Sequence, residues 1–244
     1  MKQKQIVIMT ALAVLTVGTT LAFGGSTNGT GIVGSKHDMN VLQDANVKVD
    51  SQGRVCAFCH TPHHKLESGA LLNYNPLWSH TINNDAVLKS YQTVTFDSTS
   101  KMASDPLTGP SRLCMSCHDG SIAVDQHYGI AGTASPTKES LHGDDFNQIA
   151  VYKSSDLSND HPIGFDLAGI NTLDPGIRAK LQAPNNLGLN DKDITVLGFK
   201  TGVGSVSIMT CASCHDVHNR DNVDTAFLYE KQDGSDFCLM CHDK

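Results

Sequence analysis

Hydrophobic residues are thinly spread along this chain, except in one run near its start. Residues 6–22 are mostly apolar, follow the basic side chains of Lys2 and Lys4, and end among small residues. This pattern is typical of a secretory signal peptide, with cleavage predicted after the run. The run is short for a membrane-spanning helix, although an uncleaved anchor is an alternative. The predicted organisation is a signal peptide, residues 1–22, followed by one unit, residues 23–244.

Only short elements are predicted in the rest of the chain. Residues 23–36 form a glycine-rich arm with little helical or strand signal. Two short strands, 193–199 and 205–210, are predicted to form a hairpin. Asp174 is a candidate N-cap, with Pro175 at the first position of a short helix. The predicted fold class is therefore mostly coil, with short helices, a few short strands and little regular secondary structure.

The composition indicates that bound groups organise this fold. Aromatic residues make up 6% of the chain, and Trp78 is its single tryptophan. That is little apolar surface for the core of a chain of this length. We therefore expect cofactors to supply the missing apolar surface and the chain to wrap around them.

Four copies of the motif Cys-x-x-Cys-His contain every cysteine of the chain. The spacing is that of c-type haem attachment, in which two thioethers hold the porphyrin and the histidine binds iron. Zinc sites and redox or structural disulfides are the alternatives, but none of them requires a histidine after each second cysteine. Four c-type haems are predicted, in a haem-organised fold. The attachment residues are Cys56, Cys59, Cys114, Cys117, Cys211, Cys214, Cys238 and Cys241, and the iron ligands are His60, His118, His215 and His242.

Histidine is abundant, with twelve in the chain, which favours histidine over methionine on the far side of each iron. His63 and His218 each follow a motif histidine by three residues, so they leave the same turn and can reach a neighbouring haem. His37 lies just before the first motif, and His161 lies in a stretch otherwise poor in histidine. These four are the predicted distal ligands. Weaker candidates are His64, His80, His127, His142, Met39, Met102 and Met209.

Charge and export limit the compartment and the partners. The formal net charge is −7, which argues against nucleic acid and anionic membranes and is compatible with cationic electron donors or metal ions. Covalent haem attachment in bacteria takes place outside the cytoplasm, in agreement with the predicted signal peptide. The protein is expected to be secreted and extracellular or at the cell surface, with the periplasm as the alternative.

Seven segments that contain the motifs or flanking residues follow one another as 34–38, 55–63, 76–78, 113–123, 160–165, 211–218 and 237–242. In this order they resemble secreted multihaem c-type cytochromes with four CxxCH motifs. Among these are the tetrahaem cytochromes of OmcE type, which polymerise into extracellular filaments in metal-respiring bacteria. The resemblance also implies His37, His63, His161 and His218 as distal ligands.

The function implied by the resemblance is an electron conduit without substrate chemistry, polymerised head to tail as a conductive extracellular filament. Implied partners are further copies of the chain, upstream periplasmic or outer-membrane cytochromes, and extracellular acceptors such as metal oxides. In related filaments a neighbouring subunit can supply a ligand histidine, and His37 on its glycine-rich arm is the candidate. A soluble periplasmic tetrahaem shuttle and a multihaem reductase with one open iron are the alternative functions.

Overall fold

Regular secondary structure is sparse in the described part of the chain. The computed structural model describes residues 29–41, 50–63, 74, 76–82, 89–118, 123–132, 157–158, 160–182, 188–201, 206–220, 222–223 and 225–243. Within these residues, helix α1 spans Pro110–His118 and helix α2 spans Asp236–Leu239. Strand β1, Phe199–Lys200, pairs antiparallel with strand β2, Ser207–Ile208. The prediction of a mostly coil chain with short elements is confirmed.

Short 3₁₀ helices supply most of the remaining helical turns of the described residues. Two of them begin CxxCH motifs, and the others lie in the connecting segments. They span Val55–Phe58, Thr99–Lys101, Ile170–Thr172, Ile194–Leu197, Cys211–Ser213, Thr225–Phe227 and Asp233–Ser235.

Helix α1, which carries the second motif, also contacts the third motif. It starts at Pro110, where the ring fixes a helical φ and no N–H is needed. The preceding Gly109 has a φ of +73°, and a Cβ there would come within 2.5 Å of the Phe199 ring. Glycine thus lets β1 pack against the start of the helix. The Ser111 hydroxyl accepts a hydrogen bond from the backbone N–H of Cys211 at 3.1 Å.

Two elements take conformations other than those predicted. The strand prediction for 193–199 is wrong up to Phe199, because the Asp193 carboxylate caps the 3₁₀ helix Ile194–Leu197. The helix prediction after Asp174 is also wrong. The Asp174 carboxylate accepts from the backbone N–H of Gly176 at 2.8 Å and turns the chain there. Such local side-chain bonds to the backbone compete with longer regular elements.

Buried apolar residues form separate small clusters behind the motifs, where a compact domain usually has one contiguous core. Cys214 and Cys241 pack against the largest cluster, Cys117 against a second and Cys59 against a third. The largest consists of Phe165, Leu167, Ile170, Leu181, Ile194, Met209 and Met240. The second consists of Met39, Phe58 and Val124, and the third of Trp78 and Leu113. Three of the four described clusters thus lie against motif cysteines, and the fourth consists of Leu107, Met115 and Leu157.

The described part of the glycine-rich arm lies against the segment that follows the third motif. The backbone N–H of Gly31 donates to the carbonyl of Asn219 at 2.8 Å, and the Asn219 side-chain amide donates to the Gly31 carbonyl at 2.9 Å. Asn219 is buried, so these bonds are shielded from water. They hold the chain around His37 against its own third motif.

No helix within the described ranges is long and apolar enough to cross a membrane. The predicted signal peptide and the weaker ligand candidates His64 and His142 lie outside the described residues.

Candidate functional site

The CxxCH motifs fold as short helical turns. The backbone N–H of the motif histidine donates to the carbonyl of the first cysteine at 2.8 Å for His60, 3.1 Å for His215 and 3.0 Å for His242. The second motif forms the end of α1. A single turn therefore carries both cysteines and the histidine of each motif.

Three of the motifs each have a three-residue segment lying antiparallel to them, which we call a strap. The straps are residues 77–79 at the first motif, 227–229 at the third and 176–178 at the fourth. The carbonyl of the first strap residue accepts from the residue after the motif histidine at 2.7 to 2.8 Å. The N–H of the third strap residue donates to the carbonyl of the second cysteine, at 2.9, 3.3 and 2.7 Å respectively. The middle strap residue pairs with the motif histidine.

At the first and third motifs, the residue just before the strap orients the histidine ring. Nδ1 of His60 lies 2.9 Å from the Pro76 carbonyl, and Nδ1 of His215 lies 2.6 Å from the Ala226 carbonyl. A carbonyl only accepts, so each Nδ1 donates its hydrogen and Nε2 is left to bind a metal. Such outer hydrogen bonds fix the tautomer and ring orientation of a metal ligand and raise its basicity.

Three motif histidines lie opposite a second histidine. The ring centres of His60 and His218 are 6.3 Å apart, those of His37 and His118 are 6.1 Å apart, and those of His161 and His242 are 6.3 Å apart. An imidazole nitrogen bonds a metal at about 2 Å and lies about 1 Å from its ring centre, so two imidazoles across one metal have centres about 6 Å apart. The three separations fit a metal held between each pair.

The remaining predicted ligand, His63, is exposed, as is His215. Among the described residues, no ring contact joins His63 to a motif histidine. His37, predicted as a candidate for donation to a neighbouring subunit, lies beside His118 of its own chain. The structure thus brings together three of the four distal candidates with a motif histidine.

The weaker candidates His80 and His127 are buried among backbone carbonyls and a carboxylate. His80 places Nδ1 3.1 Å from the Thr81 carbonyl and Nε2 2.9 Å from the Ala123 carbonyl. His127 places Nδ1 2.8 Å from the Asp125 carbonyl and Nε2 3.5 Å from the Asp50 carboxylate. These contacts favour structural roles for both histidines. The methionine candidates Met39, Met102 and Met209 belong to or pack against the apolar clusters.

The cysteines of successive motifs are close in space. The Cys114 thiol shares a hydrogen bond with Cys211, which joins the second and third motifs. Cys117 lies near enough to Cys59 to influence the pKa of that thiol. Cys241 has the same relation to Cys214, which joins the third and fourth motifs. The His60–His218 pair also brings the first motif close to the third. Each of the four motifs therefore lies close to at least one other motif.

Burial favours uncharged sulfur at three of the eight motif cysteines. Burial raises the pKa of the Cys59 and Cys214 thiols to about 12 and that of Cys241 to about 11. The interaction between the buried Cys114 and Cys211 thiols lowers the pKa of Cys211 and raises that of Cys114. Burial disfavours a charged sulfur and suits the neutral thioethers that haem attachment would leave.

Asp50 shapes the entry to the first motif, a role that the sequence did not reveal. Its buried carboxylate accepts from the Arg54 backbone N–H at 2.8 Å, from Arg54 Nε at 3.0 Å and from Arg54 Nη2 at 2.7 Å. These bonds hold the pKa of Asp50 well below its ordinary value of 3.8. Arg54 directly precedes the 3₁₀ helix Val55–Phe58, so the pair fixes where the first motif begins.

The comparison with protein families covers the C-terminal part of the site. Residues 204–244, with the third and fourth motifs, match the family described as "Doubled CXXCH motif". No curated protein sequence matches the chain significantly. Doubled CXXCH motifs attach c-type haem. The match, together with the motif geometry, indicates c-type haem binding and the electron transfer of a multihaem cytochrome.

Proposed function

We propose that this chain is a tetrahaem c-type cytochrome that carries electrons through bis-histidine haems. The observation that carries the proposal is the separation of 6.1 to 6.3 Å between three motif histidines and a second histidine. The eight motif cysteines would hold the porphyrins. The proposed axial pairs are His60 with His218, His118 with His37, and His242 with His161.

The fourth pair follows from the likeness between the first and third motifs. Both have a strap with the same hydrogen-bond pattern, and both continue as CxxCHxxH. His218 of the third motif lies opposite His60 of the first. We assign the equivalent residue of the first motif, His63, to His215 of the third. This reciprocal exchange would tie the two attachment sites together through both irons.

The chain's own residues explain why conduction is favoured over substrate chemistry. When bound, each haem supplies one-electron exchange at its iron. Two imidazoles on an iron leave no position for a substrate, so we propose that the protein is not an enzyme. A reductase would need one motif histidine without a partner. Cysteines of successive motifs lie close enough to influence one another's pKa, and this proximity of the attachment sites suits electron transfer between them.

The filament is the further part of the proposal. A secreted, head-to-tail homopolymer would receive electrons from periplasmic or outer-membrane cytochromes and deliver them to extracellular acceptors such as metal oxides. It is supported by the resemblance to filament cytochromes. The soluble periplasmic shuttle is favoured by one observation, the position of His37 beside His118 of its own chain. With that pairing, a single chain can complete the second site without a neighbour.

Haem counting and spin state test the conduit. Native protein should give four haems per chain by pyridine haemochrome, with low-spin iron throughout. The double variant C238S/C241S should give three haems, while a matched change outside the motifs, S100A, should leave four. A zinc-containing protein, or substantial high-spin iron in the native assembly, would contradict the proposal.

Microscopy of native material separates the filament from the shuttle. The filament predicts fibres with porphyrins continuous across subunit boundaries. A discrete monomer at all protein concentrations would leave the shuttle as the function.

A further inference from the structure

Phe227 lies outside the CxxCH motifs and contacts the histidine sites of two of them. Its ring stacks on the His37 imidazole, with centres 4.6 Å apart and planes 11° apart. Its carbonyl accepts from the backbone N–H of Asp216 at 2.8 Å, immediately after His215. The carbonyl of the preceding residue, Ala226, accepts from Nδ1 of His215. Phe227 therefore combines a backbone role at the third motif with a side-chain role at the second.

The backbone role does not require an aromatic side chain. Phe227 has a φ of 60°, a left-handed conformation that is costly for any residue except glycine. Leu77 occupies the equivalent first position of the strap at the first motif, with a φ of 58°, and its side chain is exposed. The same backbone geometry thus exists without a stacked ring. Position 227 is phenylalanine although glycine would suit its backbone better.

The Phe227 ring affects how the His37 imidazole is oriented beside His118 of the second motif. The plane of His37 is 82° from that of His118, close to perpendicular. An imidazole bound through Nε2 can turn about its metal–nitrogen bond unless neighbouring groups prevent it. The flat face of Phe227 lies parallel to His37 and blocks that rotation.

We propose that Phe227 is a positioning residue that holds the His37 imidazole perpendicular to His118. This inference rests on the proposed axial pairing and adds a spectroscopic role for a residue that binds neither haem nor iron. In low-spin ferric iron, parallel imidazole planes separate the iron orbitals and give a rhombic spectrum. Perpendicular planes bring those orbitals together and give a signal with a much larger maximum g value.

The ring angles therefore predict different signals for different pairs. His37–His118 at 82° and His161–His242 at 78° belong to the large-g class, whereas His60–His218 at 10° belongs to the rhombic class. Spin integration of frozen ferric protein should find at least two haems in the large-g class. Absence of that class from the native protein would contradict the axial pairing itself, separately from any role of Phe227.

Substitution at the two straps isolates the ring. In the haem-loaded full chain, F227G keeps a residue suited to the left-handed backbone but removes the stacked ring. Its large-g signal should fall by the integrated intensity of one haem, with four haems still bound. L77G makes the same change at the other strap and should leave the spectrum unchanged, and F227Y should retain the native signal.

The inference is overturned if F227G shows the native large-g intensity. F227L, which keeps apolar volume without a flat face, is measured in parallel and decides the matter if F227G binds fewer than four haems. Native intensity in F227L would equally refute a role for the stacked ring. Loss of the same signal in L77G would also refute it, because the effect would then come from the straps' backbone.

Discussion

Replacing His37 with glycine tests the proposed same-chain pair with His118. If each of the four motif histidines serves one iron, as proposed, loss of one distal ligand should convert one iron in four to the high-spin state. The His37 ring lies between Phe227, at 4.6 Å, and His118, at 6.1 Å, so its removal leaves a slot of imidazole size. Added imidazole should enter that slot and restore the low-spin iron.

Resonance Raman spin-state bands and the visible spectrum of dilute, haem-loaded H37G provide the assay. The control is K36G, which makes the same backbone change at the neighbouring exposed position and should remain fully low-spin. Fully low-spin iron in H37G would contradict the His37–His118 pairing, because another group would then bind that iron. If native protein itself becomes one-quarter high-spin on dilution, the distal ligand comes from another subunit.

Three further substitutions test the surroundings of the sites. D50N should lower the melting temperature at pH 7, where the Asp50 carboxylate bonded to Arg54 is charged. The stabilisation by the charged carboxylate is lost as the pH falls below 3.8, so the melting temperatures of variant and wild type should converge in acid. A difference in melting temperature that stays constant with pH would contradict this role of Asp50. W78F removes the 3.2 Å hydrogen bond to Ser116 and should cost about 1 kcal/mol in denaturant unfolding, with unchanged stability as the contrary result. H80Q should cost about 1–3 kcal/mol but leave every iron low-spin, since new high-spin iron would make His80 a ligand.

The attachment sites could be predicted from the sequence because their chemistry is local. Cysteine, two spacers, cysteine and histidine fit on one helical turn, so spacing alone indicates the site. The scarcity of regular structure was equally predictable from composition. The spacing of His218 from its own motif predicted that it reaches a neighbouring haem site, and the structure brings its ring within 6.3 Å of that of His60.

The straps were not predictable because they depend on backbone geometry between distant segments. The His60 ring bonds a carbonyl 16 residues away, and the His215 ring bonds one 11 residues away. The straps of the first and third motifs share no residue type at equivalent positions. A backbone carbonyl acceptor is present in every residue, so the sequence does not show which one is used. Nor does either residue type signal the left-handed conformation that Leu77 and Phe227 adopt.

The wrong helix prediction at Asp174 has a related cause. An aspartate followed by proline reads as a helix start, yet the following Gly176 and Ile177 are needed as the strap of the fourth motif. Tertiary pairing with His242 outweighs the local signal. The structural roles of His80 and His127 were not predictable either, because sequence position does not show that their rings are buried among carbonyls.

A density map of the native haem-loaded protein, at a resolution that separates the axial ligands, would show the ligands of each iron. We expect four porphyrins per chain, with one iron between His60 and His218, one between His37 and His118, and one between His161 and His242, all within a single chain. An iron at any of these motif histidines bound on its far side by a different residue, or by none, would contradict this expectation.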